Sequence, residues 1–365
     1  MNIVFRTDAS LQIGTGHVMR CLTLADALSA QGAECHFICR EHPGHLTDFI
    51  RSKGYGASIL PACAFEPERE PVSAEPLLAH ADWLGVSWQQ DADECAAILK
   101  QKQTDWMIVD HYALDSRWES ALKPNYSKLM VIDDLADRSH VCHLLLDQTY
   151  SRAPAEYLPW VPEDCILLCG SRYALLRPEF AQIRSYSLQR RAKSHLRQLL
   201  ITMGGVDRHN ATGKVLENLK SCALPVDCRI VVVMGATAPW LSEVQRFAEQ
   251  LPWTVEIKVN VRDMAQLMAD SDFAIGAAGA TSWERCCLGL PTIMLVLADN
   301  QRTIAQALDA VGAAFLCDLL TLDIHPLITM QQIEPATLSA MSVSAASITD
   351  GLGVSQVADI LICKT

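Results

Sequence analysis

The chain has no long run of basic residues. Its 365 residues include 30 Lys and Arg against 42 Asp and Glu, which gives a formal net charge of −12. Proteins that bind nucleic acid neutralise the phosphate backbone with clustered cations, and no such cluster is visible in this acidic sequence. We therefore exclude nucleic acid as a partner, and we expect any anionic ligand to be held by loop amides and helix ends.

Long apolar runs are also missing. No window approaches the roughly 18 apolar residues that a membrane-spanning helix requires. The start of the sequence, MNIVFRTD, reaches charged residues after a short apolar run, unlike a signal peptide. We expect no membrane span and a cytoplasmic location. The 14 cysteines agree with that location, because without a secretion signal they are expected to be reduced, small core residues.

Metal-binding patterns of cysteine and histidine are not found in the sequence. It has no CxxC pair, and the two HxxH spacings, His42 with His45 and His140 with His143, lack an accompanying Glu or third ligand. We interpret these histidines as structural or surface residues. The sequence therefore predicts neither a metal nor a cofactor.

Short apolar runs alternate with helical patterns along the whole chain. Runs without polar alternation are typical of strands buried on both faces, and thus of parallel sheets covered by helices. The predicted strands are 2–5, 35–39, 58–60, 106–110, 129–134, 144–148, 165–170, 198–205, 228–235, 253–259, 273–279, 291–297 and 313–319, and the predicted helices include 16–30, 210–221, 239–250, 263–271, 280–289 and 300–311. This order predicts an α/β protein with two successive Rossmann-like, doubly wound domains.

Polar and irregular stretches suggest the domain boundaries. The basic segment RSYSLQRRAKSHLRQ (184–198) contains no strand pattern, so we predict an N-terminal domain at 1–190 and a C-terminal domain at 191–345. Residues 346–365 are predicted as a helical tail. The proline-rich stretch 61–76 is predicted to be a long loop within the first domain.

The loop after the first predicted strand, within DASLQIGTGHVMRCL (8–22), is rich in glycine. Apolar residues at helical spacing predict a helix from near Gly16 to about Ala30, and Gly14 and Gly16 let a ligand approach the backbone closely. His17 then lies in the first turn, where the helix dipole disfavours imidazolium and leaves a ring able to accept a proton. A structural or capping histidine fits the same residues. The segment is not a dinucleotide fingerprint, because GxGxxG is incomplete.

Two loops in the second half have the same character. MGGVDRHN (203–210) and GAAGATSWE (276–284) each follow a predicted strand and open a helix, which presents free amides to a phosphate. With the N-terminal loop, they predict an interdomain cleft for a phosphorylated ligand. Glu284 is placed to reach a ribose diol, or it is an exposed acid that pairs with Arg285 or with nothing. Asp299 is a candidate helix N-cap.

Together these segments resemble the UDP-sugar hydrolases of pseudaminic acid biosynthesis. The resemblance rests on RTDASLQIGTGHVMRCLTLADAL, VDHYALDSRWE, IDDLADRSHVCHLLLDQTY, GSRYALLRPEF, MGGVDRHN, GAAGATSWERCCLGLP and ADNQ, and it spans about residues 3 to 315. It implies the two-domain GT-B fold. It also implies conversion of UDP-2,4-diacetamido-2,4,6-trideoxy-β-L-altropyranose to the free sugar and UDP by inverting attack of water, without a metal.

The resemblance also implies roles for single residues. His17 matches the base that activates water, and Glu284 matches the acid that binds the uridine ribose. The nucleotide and diphosphate loops correspond to Gly204, Gly205, Gly279, Ala280 and Thr281. Substrate binding is assigned to Asn300 and Gln301, which face the sugar and the β-phosphate, and to Gly14 and Gly16. Tyr112, Tyr173 and His111 are candidates for lining the sugar pocket, although core packing fits each of them equally well.

Two other functions fit the same features. A glycosyltransferase of this fold moves the sugar to an alcohol instead of water, and it needs the same base and the same UDP-binding residues. A non-catalytic protein that binds nucleotide sugars needs Glu284 and the glycine loops, but it needs no histidine at position 17. A small-molecule UDP-sugar is the expected partner in all three cases.

Overall fold

The computed structural model describes residues 1–62, 78–192, 195–222, 224–318 and 334–363. The chain divides into two compact units. Unit 1 contains Met1–Leu175 and the segment from Val354 onward, and unit 2 contains Leu176–Gly353. The loop predicted at 61–76 lies almost wholly outside the described residues, as does the start of the chain segment after residue 320.

Unit 1 is built on a parallel sheet. Within its described residues, seven strands pair in the order β3-β2-β1-β4-β5-β6-β7. The strands are β1 (Asn2–Thr7), β2 (Glu34–Arg40), β3 (Gly56–Leu60), β4 (Trp106–Asp110), β5 (Lys128–Ile132), β6 (Leu144–Asp147) and β7 (Ile166–Cys169). The helices that connect them are α1 (Gly16–Ala30), α2 (Thr47–Ser52), α3 (Trp88–Leu99) and α4 (Ser116–Leu122).

Both faces of this sheet are buried. Successive residues of β1 point to opposite faces, so Phe5 packs with Leu28 of α1 on one side while Val4 packs with Trp118 of α4 on the other. A sheet covered on both faces needs strands that are apolar throughout, which is why the strand runs are so easily recognised in the sequence.

Unit 2 repeats the arrangement with a shorter sheet. In its described part, six parallel strands pair in the order β10-β9-β8-β11-β12-β13. The strands are β8 (Gln198–Thr202), β9 (Arg229–Met234), β10 (Val255–Val259), β11 (Phe273–Ala277), β12 (Thr292–Val296) and β13 (Ala314–Asp318). The helices are α5 (Pro178–Arg191), α6 (Ala211–Leu219), α7 (Leu241–Ala248), α8 (Met264–Asp270), α9 (Thr281–Cys287), α10 (Arg302–Ala310) and α11 (Pro335–Ala346).

The division of the chain differs from the predicted domain limits of 190 and 345. Helix α5 belongs to unit 2, because the buried guanidinium of Arg191 donates to the carbonyl oxygens of Met268, Ser271 and Leu288 at 2.7–2.9 Å. Within the segment predicted as a helical tail, 346–365, helix α12 (Gly353–Cys363) buries its apolar residues in the core of unit 1, and helix α11 ends at Ala346.

The strand order fixes where each unit can hold a ligand. In unit 1 the chain runs outward from β1 through β2 to β3 and then resumes at β4 on the other side of β1. In unit 2 the same reversal lies between β8 and β11. Doubly wound sheets bind ligands at the carboxyl ends of the strands where the order reverses. A ligand is therefore expected at the loops after β1, β4, β8 and β11.

Candidate active site

The loop after β1 positions His17 at the start of α1. The Ser10 hydroxyl accepts hydrogen bonds from the backbone N–H groups of Gln12 (3.1 Å) and Ile13 (2.8 Å), which fixes the turn. Gly14 then adopts a φ of +82°, a left-handed conformation that glycine takes without steric cost. Helix α1 begins at Gly16, so His17 lies in its first turn, as predicted, with 9% of the residue exposed.

The imidazole of His17 is held by a buried carboxylate. Its Nδ1 lies 2.6 Å from Oδ1 of Asp110, the last residue of β4. One turn further along α1, Arg20 donates to the two carboxylate oxygens of Asp110 from Nε (2.6 Å) and Nη2 (2.7 Å). Burial alone would raise the pKa of Asp110, but Arg20 and His17 outweigh it and hold that pKa well below its usual range. Asp110 is therefore ionised.

An ionised Asp110 dictates the tautomer of His17. A carboxylate only accepts hydrogen bonds, so the imidazole must donate from Nδ1. The neutral ring then has its free lone pair on Nε2. This pair of residues can take a proton from a bound water at Nε2, and the carboxylate stabilises the imidazolium that forms. Asp110 was not among the residues predicted from the sequence, although its position at the end of the buried run WMIVD was an available signal.

Tyr112 lies beside His17, with ring centroids 4.7 Å apart and ring planes at 86°. Its hydroxyl donates to Oδ2 of Asp134 at 2.9 Å, and the same oxygen accepts from Nη1 of Arg20 at 2.6 Å. Arg20 thus bridges two carboxylates, Asp110 and Asp134, and fixes the side chains around the imidazole. Arg20 and Asp134 were not predicted as site residues, because only the folded chain brings them together.

The other two candidates for a sugar pocket have structural partners. Tyr173 packs in the apolar core of unit 1, and the guanidinium of Arg172 lies over its ring at 4.5 Å. His111 is buried, with Nε2 3.2 Å from Oδ2 of Asp8, and its Nδ1 accepts from the backbone N–H of Ala113. These contacts favour the packing interpretation of both residues.

In unit 2, the loop after β8 brings two glycines to the carboxyl end of the sheet. Gly204 has a φ of +85°, and a Cβ added at Gly204 or Gly205 would meet no atom within 4 Å. The backbone at this turn is consequently open to close approach by a ligand. This openness agrees with the predicted nucleotide loop.

The first backbone amides of α6 are not free, in contrast to the prediction. The carboxylate of Asp207 accepts hydrogen bonds from the backbone N–H groups of Ala211 (2.8 Å) and Thr212 (2.9 Å), and the Asn210 side chain accepts from that of Gly213 (3.1 Å). The expectation that this helix presents free amides to a phosphate is therefore wrong. Its own capping side chains already occupy those donors.

The loop after β11 leaves its donors unoccupied. No described residue accepts a hydrogen bond from the backbone N–H groups of Gly279, Ala280 or Thr281, and no side chain caps α9. A Cβ added at Gly279 would also meet no atom within 4 Å. This predicted nucleotide loop therefore keeps both the space and the donors that a diphosphate requires.

Glu284 lies on α9 with its side chain 18% exposed. Its Oε1 is 3.7 Å from Nη2 of Arg177, while the buried Arg285 instead donates to the carbonyl oxygen of Ala277 at 2.7 Å. The predicted alternative, an ion pair with Arg285, is therefore replaced by one with Arg177. Burial raises the pKa of Glu284, and Arg177 and Arg285 oppose that rise.

The segment ADNQ forms a 3-10 turn, Asp299–Gln301, ahead of α10. Asp299 is not the N-cap of α10, because the extra turn puts Gln301 at that position. Oε1 of Gln301 accepts from the backbone N–H of Leu297 at 3.0 Å, which leaves its amide nitrogen as a donor. The side chain of Asn300 lies outside the described part of the structure. A cavity of about 390 Å³ beside this turn is lined by His209, Lys214, Val296, Leu297, Ala298, Asp299, Arg302 and Asp318.

Among the described residues, no group of three or more His, Cys, Asp or Glu side chains is placed to hold a metal ion. None of the described helices is both long enough and apolar enough to cross a membrane. None of the described cysteines is joined to another by a disulfide bond.

Comparison with known proteins agrees with these features. Residues 199–350 match the glycosyltransferase family 28 C-terminal domain. The chain is 26% identical to the UDP-2,4-diacetamido-2,4,6-trideoxy-beta-L-altropyranose hydrolase of Campylobacter jejuni over 313 residues, which are 86% of this chain and 97% of that protein. The resemblance found in the sequence is confirmed. The spore coat polysaccharide biosynthesis protein SpsG of Bacillus subtilis is 32% identical over 146 residues, 40% of this chain and 42% of that protein.

Solved structures establish the fold. MurG of Acinetobacter baumannii matches with a TM-score of 0.71 and 15% identity, covering 99% of both chains. Together with the two doubly wound sheets, this likeness shows that the chain has the GT-B fold that the resemblance implied.

Proposed function

We propose that this protein hydrolyses a UDP-linked 2,4-diacetamido-2,4,6-trideoxy sugar to the free sugar and UDP. The observation that carries the proposal is the 2.6 Å hydrogen bond from Nδ1 of His17 to a buried, ionised Asp110, which leaves Nε2 of His17 free to accept a proton. Similarity to the Campylobacter jejuni hydrolase over 86% of the chain supports the choice of substrate.

The proposed reaction is a single displacement at the anomeric carbon. Nε2 of His17 removes a proton from water while the water oxygen forms a bond to the anomeric carbon. The bond from that carbon to the β-phosphate oxygen breaks, and its electron pair leaves with UDP. Attack opposite the leaving group inverts the anomeric configuration. The proton on His17 returns to solvent, and Asp110 stabilises the imidazolium in between.

Unit 2 supplies the residues proposed to bind UDP. We assign the ribose diol to the carboxylate of Glu284 and the diphosphate to the glycine turns at 204–205 and 279–281, whose backbone is open to a ligand. Gln301, with its amide nitrogen available, and Asn300 are assigned to the sugar and the β-phosphate. The glycine turns bind through backbone donors, so they hold the charge of the leaving UDP without requiring a charged side chain.

A glycosyltransferase remains the second candidate. The family 28 domain match at residues 199–350 favours it, because that family is named for sugar transfer. A non-catalytic nucleotide-sugar binding protein is the third candidate, and it would not require the proton-accepting arrangement at His17.

One experiment separates these functions. Purified protein is mixed with the UDP-sugar in water without any acceptor, and UDP release is followed by an enzyme-coupled assay while proton NMR identifies the first anomer formed. We expect turnover with inversion. A transferase releases UDP at a comparable rate only after an acceptor alcohol is added, and a binding protein releases none. Free sugar that appears first with retained configuration would also contradict the proposed displacement.

The same assay tests the base. His17→Leu replaces the proton acceptor with an apolar side chain of similar size. We therefore expect kcat to fall by about 10²–10⁴ while the affinity for UDP stays unchanged. His36, which lies in β2 and bonds through Nε2 to the Ser58 hydroxyl, provides a matched control as His36→Leu, and its kcat should stay unchanged. A His17→Leu variant with most of its turnover would return His17 to a structural role.

A further inference from the structure

Three aromatic rings pack against one another beside His17. Trp83 stacks on Tyr112 with centroids 5.7 Å apart and planes at 29°, and His80 contacts both, at 4.4 Å from Trp83 and 5.4 Å from Tyr112. Trp83 also presents its ring edge-on to His17 at 6.3 Å. We call His80, Trp83 and Tyr112 the aromatic wall.

The turn that carries Trp83 is attached to the loop of the base. A short 3-10 turn, Ala81–Leu84, buries Leu84 in the core and leaves Trp83 only partly buried. Its Asp82 accepts a hydrogen bond from the side chain of Gln12 at 2.8 Å, and Gln12 belongs to the loop that leads into α1. This hydrogen bond links the turn of Trp83 to the loop of His17.

Within the wall, the outer rings differ from the inner ring. Tyr112 is 6% exposed and its hydroxyl donates to Asp134, so it forms the buried part of the wall. Trp83 and His80 are half-buried, so part of each ring is exposed and can contact a ligand. Burial lowers the pKa of His80 against the opposing effects of Asp137 and Asp82, which favours a neutral ring near pH 7. The surface that Trp83 and His80 leave exposed is thus aromatic, while a cation, the Arg138 guanidinium, lies over the Tyr112 ring at 5.9 Å.

Such a surface discriminates among sugars by their C–H groups. The faces of aromatic rings carry partial negative charge, and they attract the weakly positive hydrogens of methyl and ring C–H groups more than they attract hydroxyl oxygens. A sugar that lacks a hydroxyl at C6 and carries N-acetyl groups offers methyl groups where an ordinary hexose offers hydroxyls. A hydroxyl buried against a ring face, away from the Trp83 N–H and the His80 nitrogens, finds no hydrogen-bond partner, and this carries a free-energy cost.

We propose that Trp83, supported by Tyr112 and His80, is a specificity-determining residue that selects deoxygenated, N-acylated sugars next to the base. The proposal rests on the proposed function and names the feature of the substrate that the wall recognises. It assigns Trp83 to sugar binding and not to UDP binding.

The test compares Trp83→Ala and Trp83→Phe with the wild-type protein. For each, kcat/KM is measured with the UDP-diacetamido-trideoxy sugar and with UDP-N-acetylglucosamine, which keeps its C4 and C6 hydroxyls. An aromatic contact contributes about 0.5–1.5 kcal/mol, so Trp83→Ala should reduce the ratio of the two kcat/KM values by about 2- to 12-fold. Trp83→Phe should keep most of the ratio, and the Kd of UDP should not change.

Trp88 gives a matched control for the loss of an indole. It is also half-buried, lies at the start of α3, and packs beneath the guanidinium of Arg117 at 5.7 Å. Trp88→Ala should leave the ratio unchanged. An equal loss of kcat/KM for both sugars in Trp83→Ala, or a weaker Kd for UDP, would overturn the proposal. If Trp83→Ala does not fold, Trp83→Leu against Trp83→Phe decides the question through the same ratio.

Failure of the proposed function is distinguishable from failure of this inference. On the His17→Asn background, where turnover is expected to be slowed by about 10²–10⁴, calorimetry gives the Kd of each UDP-sugar and of UDP. If the wild-type protein releases no UDP in water, a preference in these Kd values that depends on Trp83 would still support its role in sugar selection. Equal Kd values with and without the indole would refute it.

Discussion

The most informative perturbation is Asp110→Asn, because it changes the charge next to His17 and almost nothing in shape. In the structure, Oδ1 of Asp110 accepts from both His17 and Arg20, and Oδ2 accepts from Arg20. Asparagine offers one acceptor oxygen and one NH2 group in those places. If its oxygen faces His17, the NH2 group meets a donor of Arg20, and two donors repel each other.

The alternative orientation removes the base. Both orientations place the NH2 group against one donor of Arg20, Nε or Nη2, and both remove the negative charge that stabilises the imidazolium. In the second orientation the NH2 group also faces Nδ1 of His17, and an imidazole, unlike Arg20, can exchange its tautomer to accept there. The ring must then carry its proton on Nε2, the atom proposed to accept a proton from water. We expect kcat to fall by about 10³–10⁴ for this reason. The Kd of UDP should stay the same, because its proposed ligands are in unit 2.

The assay is acceptor-free UDP release with a double-mutant cycle. Asp105→Asn serves as the control, since Asp105 precedes the opposite end of β4 and accepts from the backbone N–H of Asn2 at 2.7 Å; its kcat should be unchanged. If Asp110 acts through His17, adding Asp110→Asn to His17→Asn should reduce kcat little further. Losses that multiply in the double variant, or an Asp110→Asn kcat within about threefold of wild type, would refute the reasoning.

Two more predictions concern Glu284 and Asp147. Glu284→Ala should weaken UDP binding and raise KM about 10- to 100-fold with a smaller change in kcat, because it removes hydrogen bonds to a charged group. The control is Glu179→Ala, which removes the other carboxylate paired with Arg177. A collapse of kcat at unchanged UDP affinity would contradict the assignment of Glu284. Burial, together with Asp134, raises the pKa of Asp147 from 3.8 to about 6. Arg152, whose Nε lies 2.6 Å from Oδ2 of Asp147, opposes that rise. Because the pKa is higher in the folded state, stability that is present below about pH 4 is lost as the pH rises through about 6. Asparagine does not titrate, so the unfolding free energy of Asp147→Asn minus that of the wild type, measured in urea, should increase from about pH 4 to pH 7. A difference that does not depend on pH would contradict the raised pKa of Asp147.

The strands were predictable from the sequence because both faces of each sheet are buried. A run such as WMIVD has no polar alternation, and all thirteen predicted strands are present among the described residues. Helix α5 was harder to assign to a unit. Arg184 and Arg191 look like linker residues in a basic stretch, yet their guanidinium groups donate to backbone carbonyls of unit 2. Sequence patterns cannot distinguish a solvated arginine from one that satisfies buried carbonyls.

The candidate site divides in the same way between local and long-range information. His17 was found because its signal is local, two glycines followed by a helix start. Asp110 is 93 residues away in the sequence, and only the pairing of β4 with β1 brings it to Nδ1 of His17. The prediction for α6 failed for a local reason that was available. Asp207 and Asn210 stand just before the helix, where such side chains cap the first amides.

The two units carry different charged groups at the same topological position. In unit 1 the strand next to β1 ends in Asp110, a fully buried carboxylate that orients an imidazole. In unit 2 the corresponding strand, β11, carries Gly276 opposite Thr202 of β8, and a Cβ at Gly276 would collide with the guanidinium of Arg285. Burial lowers the pKa of Arg285 to about 10, so it remains a cation at neutral pH beneath the open glycine turn. A buried anion at one reversal point suits proton transfer, and a buried cation at the other suits the binding of a diphosphate. The glycine at position 276 is thus required by the arginine beneath it, whereas the glycine at 279 has open space around it.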